Sequence, residues 1–85
     1  MSDWFVYMVQ CSDGTLYTGC TNNLESRLEA HNSHNGAKYT RGRMPVKLIY
    51  QELCQNRSQA QQREHQIKQL NRQQKLNLIR HYKFV

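Results

Sequence analysis

Apolar and polar positions follow two different periods along this chain. From Trp4 to Cys11 the residues are mainly aromatic, β-branched or otherwise apolar, Ser12-Asp13-Gly14 interrupts them, and Thr15 to Cys20 resumes in the same style. Two strand-like runs flanking a turn signal predict a β-hairpin. The period then lengthens. Leu24 and Leu28 stand four apart, and Asn22 with Glu25 has the form of a capping box, which predicts a short helix to about His31. Residues 32–45 contain Asn35-Gly36 and Arg41-Gly42 without a sustained apolar period and read as a basic loop. Val46 to Leu53 reads as a third strand, with Val46, Leu48 and Tyr50 on one face. Beyond it, Ser58 with Gln61 repeats the capping signature, and Ala60, Glu64 and Ile67 fall on one helical face. A last amphipathic segment, from about Gln73 to Tyr82, carries Leu76, Leu78, Ile79 and Tyr82. The Gln- and Asn-rich stretch from Gln55 to Asn77 keeps helical period and is not read as disordered. The expected fold is α+β, a three-stranded antiparallel sheet flanked by helices in the order β-β-α-β-α-α.

Composition narrows the function classes. Eighty-five residues, 38% of them hydrophobic, fit one compact domain spanning residues 1–85, since a chain this short buries only about 60% of its unfolded surface. Twelve Lys and Arg against six Asp and Glu give a formal charge of +6, which favours a polyanionic partner, nucleic acid being the commonest. The longest apolar run, Trp4 to Val9, has six residues, far below the roughly 20 that cross a bilayer. The start Met1-Ser2-Asp3 lacks the basic and apolar segments of a secretory signal, so a cytoplasmic location and no membrane partner are expected. Cys11, Cys20 and Cys54 are odd in number without Cys-x-x-Cys spacing, which suits reduced thiols. His31, His34, His65 and His81 are too scattered for a structural zinc site.

Chemistry depends first on hairpin register, because side chains alternate faces. A three-residue loop with Gly14 in the left-handed conformation sets Val9 opposite Tyr17 and Tyr7 opposite Gly19, and both phenols share a face. A four-residue loop would send them to opposite faces, and the shorter loop is the expectation. Strand tyrosines are ordinarily core residues with a wet hydroxyl. Arg27 and His31, four apart, share a helix face and can approach a phosphate together, though a surface pair beside Leu24 and Leu28 is the ordinary reading. Glu64 is harder to dismiss: a carboxylate on a core-facing stripe must be paired, bind a metal or border a cleft. Lys68, one turn on, is the rival partner. Between Gly36 and Arg43, the side chains of Lys38, Tyr39, Arg41 and Arg43 suit a phosphate backbone and an unstacked base, or a solvated loop.

Taken in order, Phe5-Val6-Tyr7, Tyr17-Thr18-Gly19, Arg27, His31 and Glu64 resemble the GIY-YIG nuclease superfamily. The segments Gly36 to Arg43 and Pro45 to Glu52 are similar to its small bacterial single-domain branch. The resemblance covers nearly the whole chain and implies a metal-dependent endonuclease acting on DNA, structure-specific in repair or recombination. By that likeness Tyr7, Tyr17, Arg27, His31 and Glu64 are catalytic, and Glu64 holds one Mg²⁺ or Mn²⁺. Arg27 meets the phosphate charge, His31 assists phosphate or water, and Tyr7 and Tyr17 are both eligible to take the proton of the attacking water. Nicked, branched or single-stranded DNA is the implied substrate, with targeting left to a protein partner, since the chain has no room for the targeting module many members carry. Phe5 and Val6 replace the eponymous Gly and Ile, Cys20 stands where several branches place a lysine, and the family's late asparagine is unassigned between Asn71 and Asn77. The alternatives are a binding module of the same fold without catalysis and, third, an RNA-directed protein.

Overall fold

A computed structural model describes residues 3–33 and 42–83. Its elements are β1 (Trp4–Gln10), β2 (Leu16–Thr21), α1 (Leu24–His31), β3 (Lys47–Cys54), α2 (Arg57–Lys68) and α3 (Arg72–Lys83). The strands form one antiparallel sheet in the order β2-β1-β3, which is the expected α+β topology. The first strand is central because its run from Val6 to Val9 is apolar on both faces, and all four residues are buried. Val6 and Met8 face one way, with Ala60 and Ile67 of α2 and Ile79 of α3. Tyr7 and Val9 face the other way, with Leu24 and Leu28 of α1. Each fully buried Val, Met or Ile side chain contributes about 1.5–3 kcal/mol. The sheet is thus sandwiched, with α1 on one side and the α2–α3 pair on the other.

The hairpin has the three-residue loop. Cys11 N–H donates to Thr15 O at 2.8 Å, Gly14 has φ 86°, and Val9 pairs with Tyr17 and Tyr7 with Gly19. Both phenols therefore point to the α1 side. The third strand departs from the sequence expectation. Met8 pairs with Tyr50 but Val9 pairs with Leu48, so Ile49 is an extra residue in β3. Such a bulge shifts the alternation by one residue: Val46 and Leu48 pack in the α1 layer while Tyr50 packs under α2 and α3. Val46, Leu48 and Tyr50 do not share a face.

Caps also fall differently. Asn23, not Asn22, caps α1 by accepting from Ser26 N–H at 3.0 Å. Asn56, not Ser58, caps α2 by accepting from Gln59 N–H at 2.8 Å. Asn71 and Gln74 cap α3 reciprocally at 2.8 and 2.9 Å. Each asparagine satisfies an N–H group that the helix itself leaves unpaired. At the other end of α1, Asn32 Oδ1 accepts from Val46 N–H at 2.8 Å, which pins the helix beside the start of β3. Arg63 Nε lies 3.1 Å from both carboxylate oxygens of Glu52, whose Oε2 also accepts from the Tyr50 hydroxyl at 2.5 Å, and this ties α2 to β3. Among the described residues no helix is long and apolar enough to cross a membrane.

Candidate active site

Tyr7, Tyr17, Arg27 and His31 meet on the α1 side of the sheet. Tyr7 is 1% exposed and His31 is fully buried. The Tyr7 hydroxyl lies 2.9 Å from His31 Nε2, and Arg27 Nε donates to the same phenol oxygen at 3.4 Å. The imidazole tautomer sets which of the two donates in the Tyr7–His31 hydrogen bond. Burial first, then the Arg27 charge, lowers the His31 pKa, so the imidazole is neutral and able to accept. Burial also pushes the Tyr7 phenol up, against the hydrogen bond and charge of Arg27. Arg27 itself holds its proton more firmly because of its hydrogen bond to Tyr7, opposed by burial and reinforced by Tyr17.

The aromatic rings form a triangle. Tyr7 and Tyr17 have centroids 6.5 Å apart, Tyr7 and His31 5.9 Å, and Tyr17 and His31 5.4 Å, with tilted or edge-on geometry. Tyr7 can lie this way because it crosses Gly19, where a β-carbon would stand 2.6 Å from its hydroxyl. The glycine of Tyr17-Thr18-Gly19 is therefore required for space.

Glu64 arrives from α2, on the opposite layer. β2 is the outer strand, so side chains of α2 reach its edge, and Lys68 Nζ comes to 5.9 Å from the Tyr17 ring centroid. Glu64 Oε2 lies 2.6 Å from Lys68 Nζ, with the Glu64 side chain 21% exposed. Its charge reaches Tyr7, and it accepts from the Cys20 thiol, whose pKa is pushed up to about 11 by burial and then by Glu64. The five sequence-derived candidates thus converge on the β1–β2 end of the sheet, and the rival Glu64–Lys68 ion pair is present as well.

The remaining sequence candidates are placed differently. Arg43 Nε lies 3.2 Å from the Asp13 carboxylate, and its carbonyl accepts from Ser12 N–H at 2.8 Å, which fastens it to the hairpin turn. Lys38, Tyr39 and Arg41 lie outside the described residues. Asn71 caps α3, and Asn77 Oδ1 accepts from Gln73 at 3.3 Å. The sequence reading set Tyr7 opposite Gly19, but it missed Lys68 as a neighbour of Tyr17 and the space that the Tyr7 ring takes from Gly19. Glycine within a strand pattern is the one local signal for the latter, since it marks close approach.

Among the described residues no group of three or more His, Cys, Asp or Glu side chains could hold a metal ion. A magnesium-like cation needs fewer protein ligands: it keeps several waters and takes one or two carboxylates plus substrate phosphate. Glu64, a hard oxygen donor reaching the surface beside Tyr17, fits that demand.

Comparisons with known proteins bear on the family and the fold. Residues 3–77 match the GIY-YIG catalytic domain family. A UPF0213 protein of Clostridium perfringens is 60% identical over 75 residues, 88% of this chain and 81% of its own length. One from Desulfotalea psychrophila is 55% identical over 78 residues, 91% of this chain and 71% of its own. Among solved structures, a protein from E. faecalis superposes with a TM-score of 0.68 at 37% identity, covering 100% of this chain and 91% of its own. A UPF0213 protein from Bacillus halodurans gives 0.59 at 38% identity, covering 91% and 82%.

Proposed function

Because the chain belongs to the GIY-YIG catalytic domain family, we propose that residues 1–85 act as one nuclease domain, a divalent-metal-dependent endonuclease that hydrolyses DNA phosphodiester bonds in the cytoplasm. The observation that carries this reading is the meeting of Arg27, Tyr7, Tyr17, His31 and Glu64 beside the β1–β2 pair. Three free cysteines fit a reducing compartment. Nicked, flapped, branched and single-stranded DNA are the substrate forms in view, in repair or recombination, with a targeting partner.

Arg27 contributes the fixed positive charge. Half-buried and held by Tyr7, it faces a phosphate with little reorganisation, which is the condition under which a cation stabilises developing charge best. Tyr7 is the positioning phenol: buried, raised in pKa and committed to His31, it orients Arg27 rather than taking a proton from water. Tyr17, more open and beside Lys68, is the base. As its phenolate it takes a proton from the attacking water while the water oxygen bonds to phosphorus and the ester oxygen departs, to be protonated by solvent. Glu64 would hold one Mg²⁺ or Mn²⁺, which when bound supplies Lewis-acid stabilisation of the phosphate and leaving oxygens.

The test is cleavage of labelled nicked, flapped, branched and single-stranded DNA with Mg²⁺ or Mn²⁺, by wild type, Glu64→Ala and Arg27→Ala, with EDTA controls. Cutting that disappears in both variants and in EDTA is expected. One observation favours a binding module instead, the Glu64–Lys68 pair at 2.6 Å, which already engages the carboxylate. Binding without cutting above the variants, on every substrate and metal, would overturn the enzyme and leave that module.

A further inference from the structure

The positive charge of this chain is unevenly placed. After Glu64 there is no Asp or Glu, while Lys68, Arg72, Lys75, Arg80 and Lys83 follow. Among the described residues, neither Arg72 nor Lys75 has a carboxylate partner. These two side chains, with Thr15 and Leu16 at the start of β2, line a cleft of about 210 Å³. A water occupies about 30 Å³ of liquid, so the cleft has room for a phosphate group with part of its hydration.

We propose that this cleft is a second contact for the substrate's phosphodiester backbone, holding the strand beside the bond that is cut; the inference rests on the nucleic-acid reading above. Continuity with the candidate active site is the first argument. Leu16 packs in the α2–α3 layer and Tyr17 in the α1 layer, so the cleft and the candidate active site lie on opposite faces of β2 and are continuous around its outer edge. Lys68, over the Tyr17 ring, joins the two places across the outer edge of the sheet. A backbone leaving the Arg27–Tyr17 region over that edge passes Lys68 and then meets Arg72 and Lys75.

Charge complementarity without an apolar wedge is the second argument. An anionic membrane surface would call for exposed apolar side chains on the basic helix, but Leu76, Leu78 and Ile79 of α3 pack into the core. Among the described residues, the exposed large apolar side chain is Leu53, on the other outer strand.

The experiment measures anisotropy of labelled single-stranded and duplex oligonucleotides in a Glu64→Gln background, from about 50 to about 200 mM salt, for the parent, Arg72→Gln/Lys75→Gln and Arg57→Gln. Arg57, over the Trp4 ring at 5.8 Å and at the opposite end of α2 from Lys68, is the control for lost charge. In the double variant the logarithmic salt slope should become shallower by about 1.4 on single strands and about 1.8 on duplex, two contacts' worth. Affinity should fall with it, and Arg57→Gln should change neither as much. An unchanged slope in the double variant, with the parent binding normally, overturns this contact and leaves the nuclease reading intact. An equal loss in Arg57→Gln reduces it to net charge and overturns it too. A parent that binds no nucleic acid refutes both this contact and the nucleic-acid part of the proposed function. Anionic phospholipid vesicles captured through Arg72 and Lys75, with oligonucleotide binding untouched, would assign the face to a membrane instead.

Discussion

Gly19→Ala tests how tightly the aromatic cluster is set. The added β-carbon would stand 2.6 Å from the Tyr7 hydroxyl oxygen and 2.8 Å from its Cζ, where ordinary contact begins at 3.4 Å. The phenol must therefore retreat by roughly 0.8 Å, and it is held by His31 at 2.9 Å and Arg27 at 3.4 Å in a fully packed layer. Overpacking of this kind costs about 2 kcal/mol, which lowers Tm by roughly 10 °C in a domain of this size. Displacement by that distance drags the acceptor of Arg27 with it, and the cleavage rate should fall on the order of 10–100-fold. The assay pairs thermal unfolding with single-turnover cleavage at a temperature where both proteins are folded. Tyr7→Phe in the same chain should relieve part of the stability loss, because the hydroxyl is removed but Cζ remains. A Gly19→Ala protein with wild-type Tm and rate would refute the packing argument. A lowered Tm with full activity would keep the packing and discard the role of Tyr7 in holding Arg27.

Two further outcomes follow from the titrating groups. His31 is buried with a lowered pKa, so below about 6.5 the unfolded chain takes up a proton that the folded chain resists; stability should be full above that pH and decline as pH falls toward the folded value, and His31→Gln should remove this part of the slope in urea unfolding. Tyr50 is pushed up to about 12 by burial and then by Glu52, so ultraviolet titration of wild type should show a late phenol that Glu52→Gln brings down part of the way; no difference between the two titrations would refute the Tyr50–Glu52 hydrogen bond.

Some of this protein was legible locally. Aromatic and β-branched runs around Asp13-Gly14 were enough for the hairpin and its register, because a left-handed glycine and an alternating side-chain period leave few ways to close three residues. The helices were legible from their apolar spacing, and Glu64 stood out as an acid on a stripe whose neighbours Ala60 and Ile67 are fully buried. Cap positions were missed by one or two residues because Asn22, Asn23, Asn56 and Ser58 are all competent caps, and packing selects among them.

Three things only the tertiary structure decided. The bulge at Ile49 shows only in the pairing of β3 with β1, and strict alternation from Val46 to Tyr50 therefore misassigned Tyr50. The meeting of Arg27 and Glu64 near Tyr7 depends on α1 and α2 lying on opposite faces of a sheet whose outer strand is β2, which no local spacing encodes. Lys68, Arg72 and Lys75 were plain in the sequence as charges, but their position beside Tyr17, Leu16 and Thr15 comes from folding residues distant in sequence against one strand. Periodicity and capping are properties of adjacent residues and survive in the unfolded order of letters, whereas a site built from two layers exists only once the sheet has brought them together.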